Sequence, residues 1–287
     1  MQGSPLSRLV WRRSRRLRLT MQLDSYPAGL LIVLCTASLA VATLLSVRKL
    51  VSHEMLRQSH EVAGYLLALV GTMYAVLLGL VVVDAMNKFD QARVNTQSEA
   101  NSLADIFLLA ERFPKAKEHE IKKLCIEYAQ RVTDVEWALM DDSKIDQECS
   151  NTAIKLMRVV QRFEPVTQAE VAMYPVAVQQ VCSLWNCRRT RTNSALNGIP
   201  IEEWIVLLVG GCLTILFISF FNLENVRLQT IMTVMVAILI ALNLLLVLWF
   251  GYPFSGDRKV HPDAFQVDMQ VFKSLSDDNH DTEKQNH

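Results

Sequence analysis

The 287-residue sequence has no glycine-rich phosphate loop, no HExxH pair and no nucleophile elbow. Its histidines, His53, His60, His119, His261, His280 and His287, stand at no recognisable spacing from a nucleophile and a carboxylate, so an enzyme is not expected. The cysteines form no framework: Cys35 and Cys212 fall in long apolar runs, and Cys125, Cys149, Cys182 and Cys187 are scattered and read as reduced thiols. Cys182 and Cys187 lack a second pair and a histidine at ligand spacing, which argues against zinc. No basic face interleaved with aromatics points to nucleic acid, and no strand pattern competes with the helical ones. A formal net charge of zero offers no excess of one sign. No cofactor or metal is expected.

What the chain has in abundance is apolar residues, 51% of the total, unevenly distributed. Four runs, Ala28 to Val47, Ala63 to Val83, Ile201 to Leu223 and Leu228 to Trp249, are each about 20 residues long and nearly free of charge, long enough to cross a bilayer. The expected fold is an all-α integral membrane protein in which two transmembrane hairpins, 28–84 and 201–250, flank a helical domain over 85–200. Lys88 and Arg93 follow the second span, Arg188, Arg189 and Arg191 approach the third, and Arg258 and Lys259 follow the fourth. The short connections hold only Arg48, Lys49, Arg57 and Arg227. The positive-inside rule then places the middle domain and both termini in the cytoplasm, most naturally of a plasma or bacterial inner membrane.

Residues 1–27 form a basic arm with Arg8, Arg12, Arg13, Arg15, Arg16 and Arg18 ahead of any acid. It fits contact with anionic lipid, and a transit peptide is a second reading; Met21 is an alternative start. At the other end, 251–287 reads as a cytoplasmic tail that is disordered after Val271.

The second span does not stop at the membrane. From Gly64 to Phe113 the pattern is one helix, uninterrupted by Pro or Gly after Leu80, and about 50 residues at about 1.5 Å each make a rod of roughly 75 Å against a hydrocarbon core of about 30 Å. Its membrane half carries small residues at Gly64, Ala68, Gly71, Ala75 and Gly79, within an arc of about 80°. Such a stripe suits close helix packing, and a pore helix in a ring of subunits packs in the same way. Beside it run Ala68, Thr72, Val76 and Leu80, a narrow strip that could line an apolar constriction gated by dewetting or contact lipid and other helices. Asp84, one turn on, marks the water boundary or an inner-mouth ring of carboxylates.

In the middle domain, breaks are expected at Pro114, Asp141 to Ser143, Pro165 and Pro175. The apolar stripe Ile121, Leu124, Cys125, Tyr128, Val132, Val135, Leu139 needs a partner, and Ile154, Leu156, Val159, Val160, Phe163 offers one. Glu136 and Trp137 are expected inside this bundle, with Arg188 or Arg191 as ion partner. Asn243, in the fourth span, is expected to bond a neighbouring helix. Glu202, Glu203 and Trp204 suit a helix start at the interface.

Four stretches in order, GYLLALVGTMYAVLLGLVVVDAMNKFDQARVNTQSEANSL from Gly64, EYAQRVTDVEWALM, IPIEEWIVLLVGGCLTI and FGYPFSGDRKVHPDAF, resemble the bestrophin-like family of unknown function, from Met21 to about Phe265. That family is similar to the bestrophin chloride channels, pentamers whose second membrane helix lines the pore. FDQAR at Phe89 to Arg93 and PFSG at Pro253 to Gly256 look like the runs that follow their second and fourth spans. The resemblance implies a pore lined at Ala68, Thr72, Val76 and Leu80. This strip lacks the bulky aromatic residues of bestrophin necks, and Asp257 and Asp263 alone do not make the dense acidic cluster of a calcium clasp, so no calcium site is expected. The combined expectation is a homo-oligomeric channel passing inorganic ions, anions ahead of cations. The alternative is a non-conducting membrane scaffold or signalling protein whose cytoplasmic helices bind a partner. The two hairpins show no clear inverted repeat and no broken span, which disfavours a transporter.

Overall fold

A computed structural model describes residues 25–50, 60–221 and 225–285. The basic arm, with Met21 and its arginines, and the connection holding His53 and Arg57 lie outside the described residues. Among the described residues nine α-helices follow one another: α1 (Tyr26–Leu50), α2 (His60–Leu109), α3 (Lys115–Arg131), α4 (Trp137–Asp141), α5 (Gln147–Gln161), α6 (Gln168–Leu196), α7 (Ile201–Ser219), α8 (Val226–Gly251) and α9 (Asp263–Gln285). A 3₁₀ turn, Ala110–Arg112, ends α2, and a π turn, Val132–Glu136, joins α3 to α4. There is no strand among the described residues.

Helices α1, α2, α7 and α8 are long and apolar enough to cross a membrane. The third span stops at Ser219, short of the expected Leu223, and Asn225 then caps α8 by accepting from the Arg227 and Leu228 amides. Helix α2 is a single rod of 50 residues, about 75 Å. It ends where Pro114 forces the preceding Phe113 into extended backbone.

The membrane helices pack through glycines. A Cβ at Gly210 of α7 would lie 2.5 Å from the Tyr74 ring of α2, and the Tyr74 hydroxyl donates to the Leu207 carbonyl at 3.0 Å. Gly29 of α1 receives Trp249 and Leu245 of α8, and Gly251 receives Ile199.

Outside the membrane, α2 and α6 form the axis of a bundle. Ala92, Thr96, Glu99, Leu103, Ile106 and Ala110 recur at steps of four and three and are all buried, as are Ala177, Val181, Leu184, Arg188 and Arg191 on α6. Such a spacing keeps one helix face turned to its partner. Asp146 caps α5 through the Glu148 and Cys149 amides, and a Thr167–Glu170 capping box starts α6. The expected breaks occur at Pro114, at Asp141 to Ser143, where Ser143 takes a φ of 53°, and at Pro165.

Two expectations are corrected. Pro175 does not break the chain, because α6 runs through it. The proline removes only the amide that would bond to Val171, and Val171 lies on the exposed side, where water can serve the freed carbonyl. The tail is not disordered after Val271 but stays helical in α9, and the reason is aromatic: Phe272 is 1% exposed and stacks on Phe107, ring centroids 4.1 Å apart.

The exit of α8 is tied to the bundle. Phe254 is buried edge-on to Trp137 at 5.7 Å, Trp137 Nε1 donates to the Val260 carbonyl at 3.0 Å, and the Val260 amide donates to the Pro253 carbonyl at 2.8 Å. Gly256, at φ 78°, makes that turn possible. The Tyr26 amide, at the start of α1, donates to Asp257 Oδ2 at 3.0 Å.

Candidate functional site

The membrane half of α2 has two unlike faces. Tyr74, Leu78 and Ala85 are buried against α7 and α8, whereas Ala68, Thr72, Val76 and Leu80 are exposed, Val76 at 59% and Leu80 at 67%. At about 100° per residue the strip is centred about 180° from Tyr74, so it points away from the rest of its own chain. The Thr72 hydroxyl donates to the Ala68 carbonyl at 2.7 Å, so its proton is spent on the helix and its oxygen keeps acceptor capacity.

Of the glycines expected to pack helices, Gly64 meets the Phe221 ring beyond the end of α7, with 3.6 Å between ring and a built Cβ. A Cβ at Gly71 or Gly79 would meet nothing within 4 Å, and Ala75 is exposed. Against α2, the packing glycines within one chain are Gly210 and Gly211, which sequence reasoning passed over although they stand side by side in the third span. Asp84 is half exposed and pairs with Lys88 at 2.6 Å, and Asp90 of FDQAR pairs with Arg93 at 3.4 Å. Asn243 donates to Leu239 of its own helix at 2.9 Å rather than to a neighbouring one.

The second assembly is a polar core in the bundle. The π turn inserts one residue into the register between α3 and α4 and sets Glu136 facing inward. Arg188 grips it with two parallel bonds, Nη1 to Oε2 at 2.5 Å and Nη2 to Oε1 at 2.6 Å. Arg191 bridges the two acids, donating through Nε to Glu99 Oε2 at 2.7 Å and through Nη2 to Glu99 Oε1 at 2.9 Å and Glu136 Oε2 at 2.8 Å. The Tyr128 hydroxyl donates to Glu99 at 2.5 Å.

Two guanidinium and two carboxylate groups cancel in charge, and satisfied pairing is what allows four ionised groups to be buried. Burial by itself would raise the Glu136 carboxyl, but Arg191 and Arg188 hold it down at about 2. Burial would lower Arg191, and Glu99 instead holds it well above its usual range. The expected partnership of Glu136 with Arg188 or Arg191 is thus made with both. Glu99 and Tyr128 were not expected there, although a lone acid at a core step of the α2 repeat was a legible sign. Cys149 touches Arg188 at 3.2 Å, yet burial raises its thiol, so it carries no thiolate chemistry. Among the described residues no three His, Cys, Asp or Glu side chains gather as a metal ion would require.

Four spans in two hairpins around a helical bundle, with one rod shared by both layers, define an integral, multi-pass helical membrane protein. A family model, the bestrophin-like domain, matches residues 12–265, and the chain belongs to that family. Among solved structures, a single-residue variant of a bacterial bestrophin homologue from Klebsiella pneumoniae matches with a TM-score of 0.62 at 11% identity, over 86% of this chain and 98% of that one. The same homologue, phased with zinc, matches at 0.61 and 11%, over 86% and 97%. Another variant matches at 0.60 and 12%, over 86% and 97%. These likenesses establish a bestrophin fold. No curated protein matches the chain.

Proposed function

We propose that the protein is a homo-oligomeric ion channel in which copies of α2 surround a central pore and present Ala68, Thr72, Val76 and Leu80 to it. The observation that carries this reading is the uncovered face: the strip lies opposite the buried Tyr74 and is exposed among the described residues. Gly71, Ala75 and Gly79 flank the strip and leave room for the helix of the next copy. The ring is a pentamer by resemblance. A constriction of alanine, valine and leucine with one hydroxyl oxygen per copy would gate by wetting and dewetting.

Ion choice follows from resemblance and charge together. Similarity to the chloride channels favours anions over cations, while Asp84 with Lys88 and Asp90 with Arg93 leave the inner mouth nearly neutral, which gives weak discrimination. The basic residues that follow the second and fourth spans support a bundle and termini on the cytoplasmic side of a plasma or bacterial inner membrane.

Planar bilayers test the reading. Purified protein is expected to give unitary currents, and Thr72→Lys to change their size or reversal potential; silent bilayers with intact oligomers would favour the membrane scaffold. A monomeric mass in detergent would sink the central pore, since one copy supplies one lining helix.

A further inference from the structure

Helix α9 closes the far end of the bundle against α2, α3 and the π turn. Phe265 and Phe272, seven residues apart on one face, are buried; Phe272 stacks on Phe107 of α2, Phe265 lies edge-on to Tyr128 at 6.4 Å, and Met269 meets the Thr133 hydroxyl. Into this apolar seam α9 also brings a carboxylate. Asp268 Oδ2 is out of reach of solvent and has no hydrogen-bond partner, and the charge beside it is Asp105 of α2.

The other charges on the surrounding elements are committed elsewhere. On α3, Lys122 lies over the Phe107 ring and pairs with Glu111 and Glu118, Arg131 pairs with Asp146, and Glu127 accepts from Thr152; His119 and Lys123 are exposed. Asp134 of the π turn accepts from Thr133, and Glu99 of α2 is held by Arg191. On α9 itself Asp263 and Lys273 stand five residues to either side of Asp268, about 140° around the helix.

We propose that α9 is a proton-fastened latch on the long helix: a proton taken up by Asp268, beside the charge of Asp105, seats α9 against α2, and its loss loosens the seam. Two ionised carboxylates side by side repel, and the buried oxygen of one of them cannot recover the water it has lost. A proton removes both costs and leaves the aromatic contacts unopposed. Burial and Asp105 together push the Asp268 carboxyl up to about 6. The docked helix therefore holds its proton more tightly than a released one, whose carboxyl returns to the ordinary 3.8. Docking strengthens as pH falls through about 6, levels off below 3.8, and is weakest above neutrality.

The inference stands whether or not the protein conducts. The full chain, in detergent or nanodiscs, is followed by amide hydrogen exchange at pH 5 and pH 8, corrected for the intrinsic pH dependence of exchange. Amides 265–275 are expected to exchange a few-fold more slowly at pH 5, less than the roughly tenfold ratio that about 6 against 3.8 gives between pH 5 and pH 8, because the carboxyl is half solvated. Asp268→Asn should remove the difference and keep protection high at both values, and Asp105→Asn, at an exposed position, should shrink the ratio. Equal protection at the two pH values, an undiminished ratio in either variant, or a ratio of the same size in the α3 amides would overturn the latch.

Discussion

The two halves of α2 solve opposite problems with one continuous helix. Outside the membrane, its buried face carries Ala92, Thr96, Glu99, Leu103 and Ala110, and even the one acid among them is matched by Arg191 and Tyr128 of the same chain. Inside the membrane, Ala68, Val76 and Leu80 face outward, and a Cβ at Gly71 or Gly79 would meet nothing within 4 Å among the described residues. In the proposed assembly the soluble half is complete in one copy and the membrane half is not, so loss of fold should follow changes in the first and loss of assembly or conduction changes in the second.

The strongest challenge to that contrast is Arg191→Ala, which leaves Glu99 buried without its partner. It should cost about 3–5 kcal/mol of bundle stability, read as a lowered unfolding midpoint, and a variant as stable as the parent would show the network to be incidental. Next comes Gly210→Leu, which drives a side chain into the space held by the Tyr74 ring and should cost about 1–3 kcal/mol, measured by thermal unfolding in detergent. Acid supplies a third measure. Because Glu136 is held at about 2 when folded against an ordinary 4.5, its stabilisation is complete above pH 4.5 and is lost as pH falls towards 2; the Glu136→Gln bundle should lose that part of the acid sensitivity in a pH titration of unfolding. The smallest effect on fold is expected for Val76→Ala and Leu80→Ala, within about 0.5 kcal/mol, since both side chains are exposed in the single chain. Their effect should appear in oligomer mass and channel conductance, and a large loss of chain stability would erase the contrast.

Much of this was legible in the residues because the signals were long or blunt: runs of about 20 apolar residues, a rod without Pro or Gly beyond Leu80, and turn residues at Asp141 to Ser143. What escaped was decided by contact. Pro175 read as a stop, yet the exposed side of α6 absorbs it. The charge pattern after Val271 read as disorder, because the stacking of Phe272 on Phe107 joins residues 165 positions apart in the chain. The slot for Tyr74 is made by glycines on another span, and the acids Glu99 and Glu136 meet only through Arg191. Periodicity could place each of these residues on a face. It could not say which faces meet.

The length of α2 has a mechanical meaning. A rod anchored near its middle, where Phe89 packs edge-on against Phe250 at 5.4 Å, behaves as a lever with one arm in lipid and the other in water. With about 44 Å of helix on the membrane side of that fulcrum and about 30 Å on the other, a tilt of about 5° carries the two tips by about 4 and 3 Å in opposite directions. Whatever grips the watery arm thereby has leverage on the buried one, without touching it.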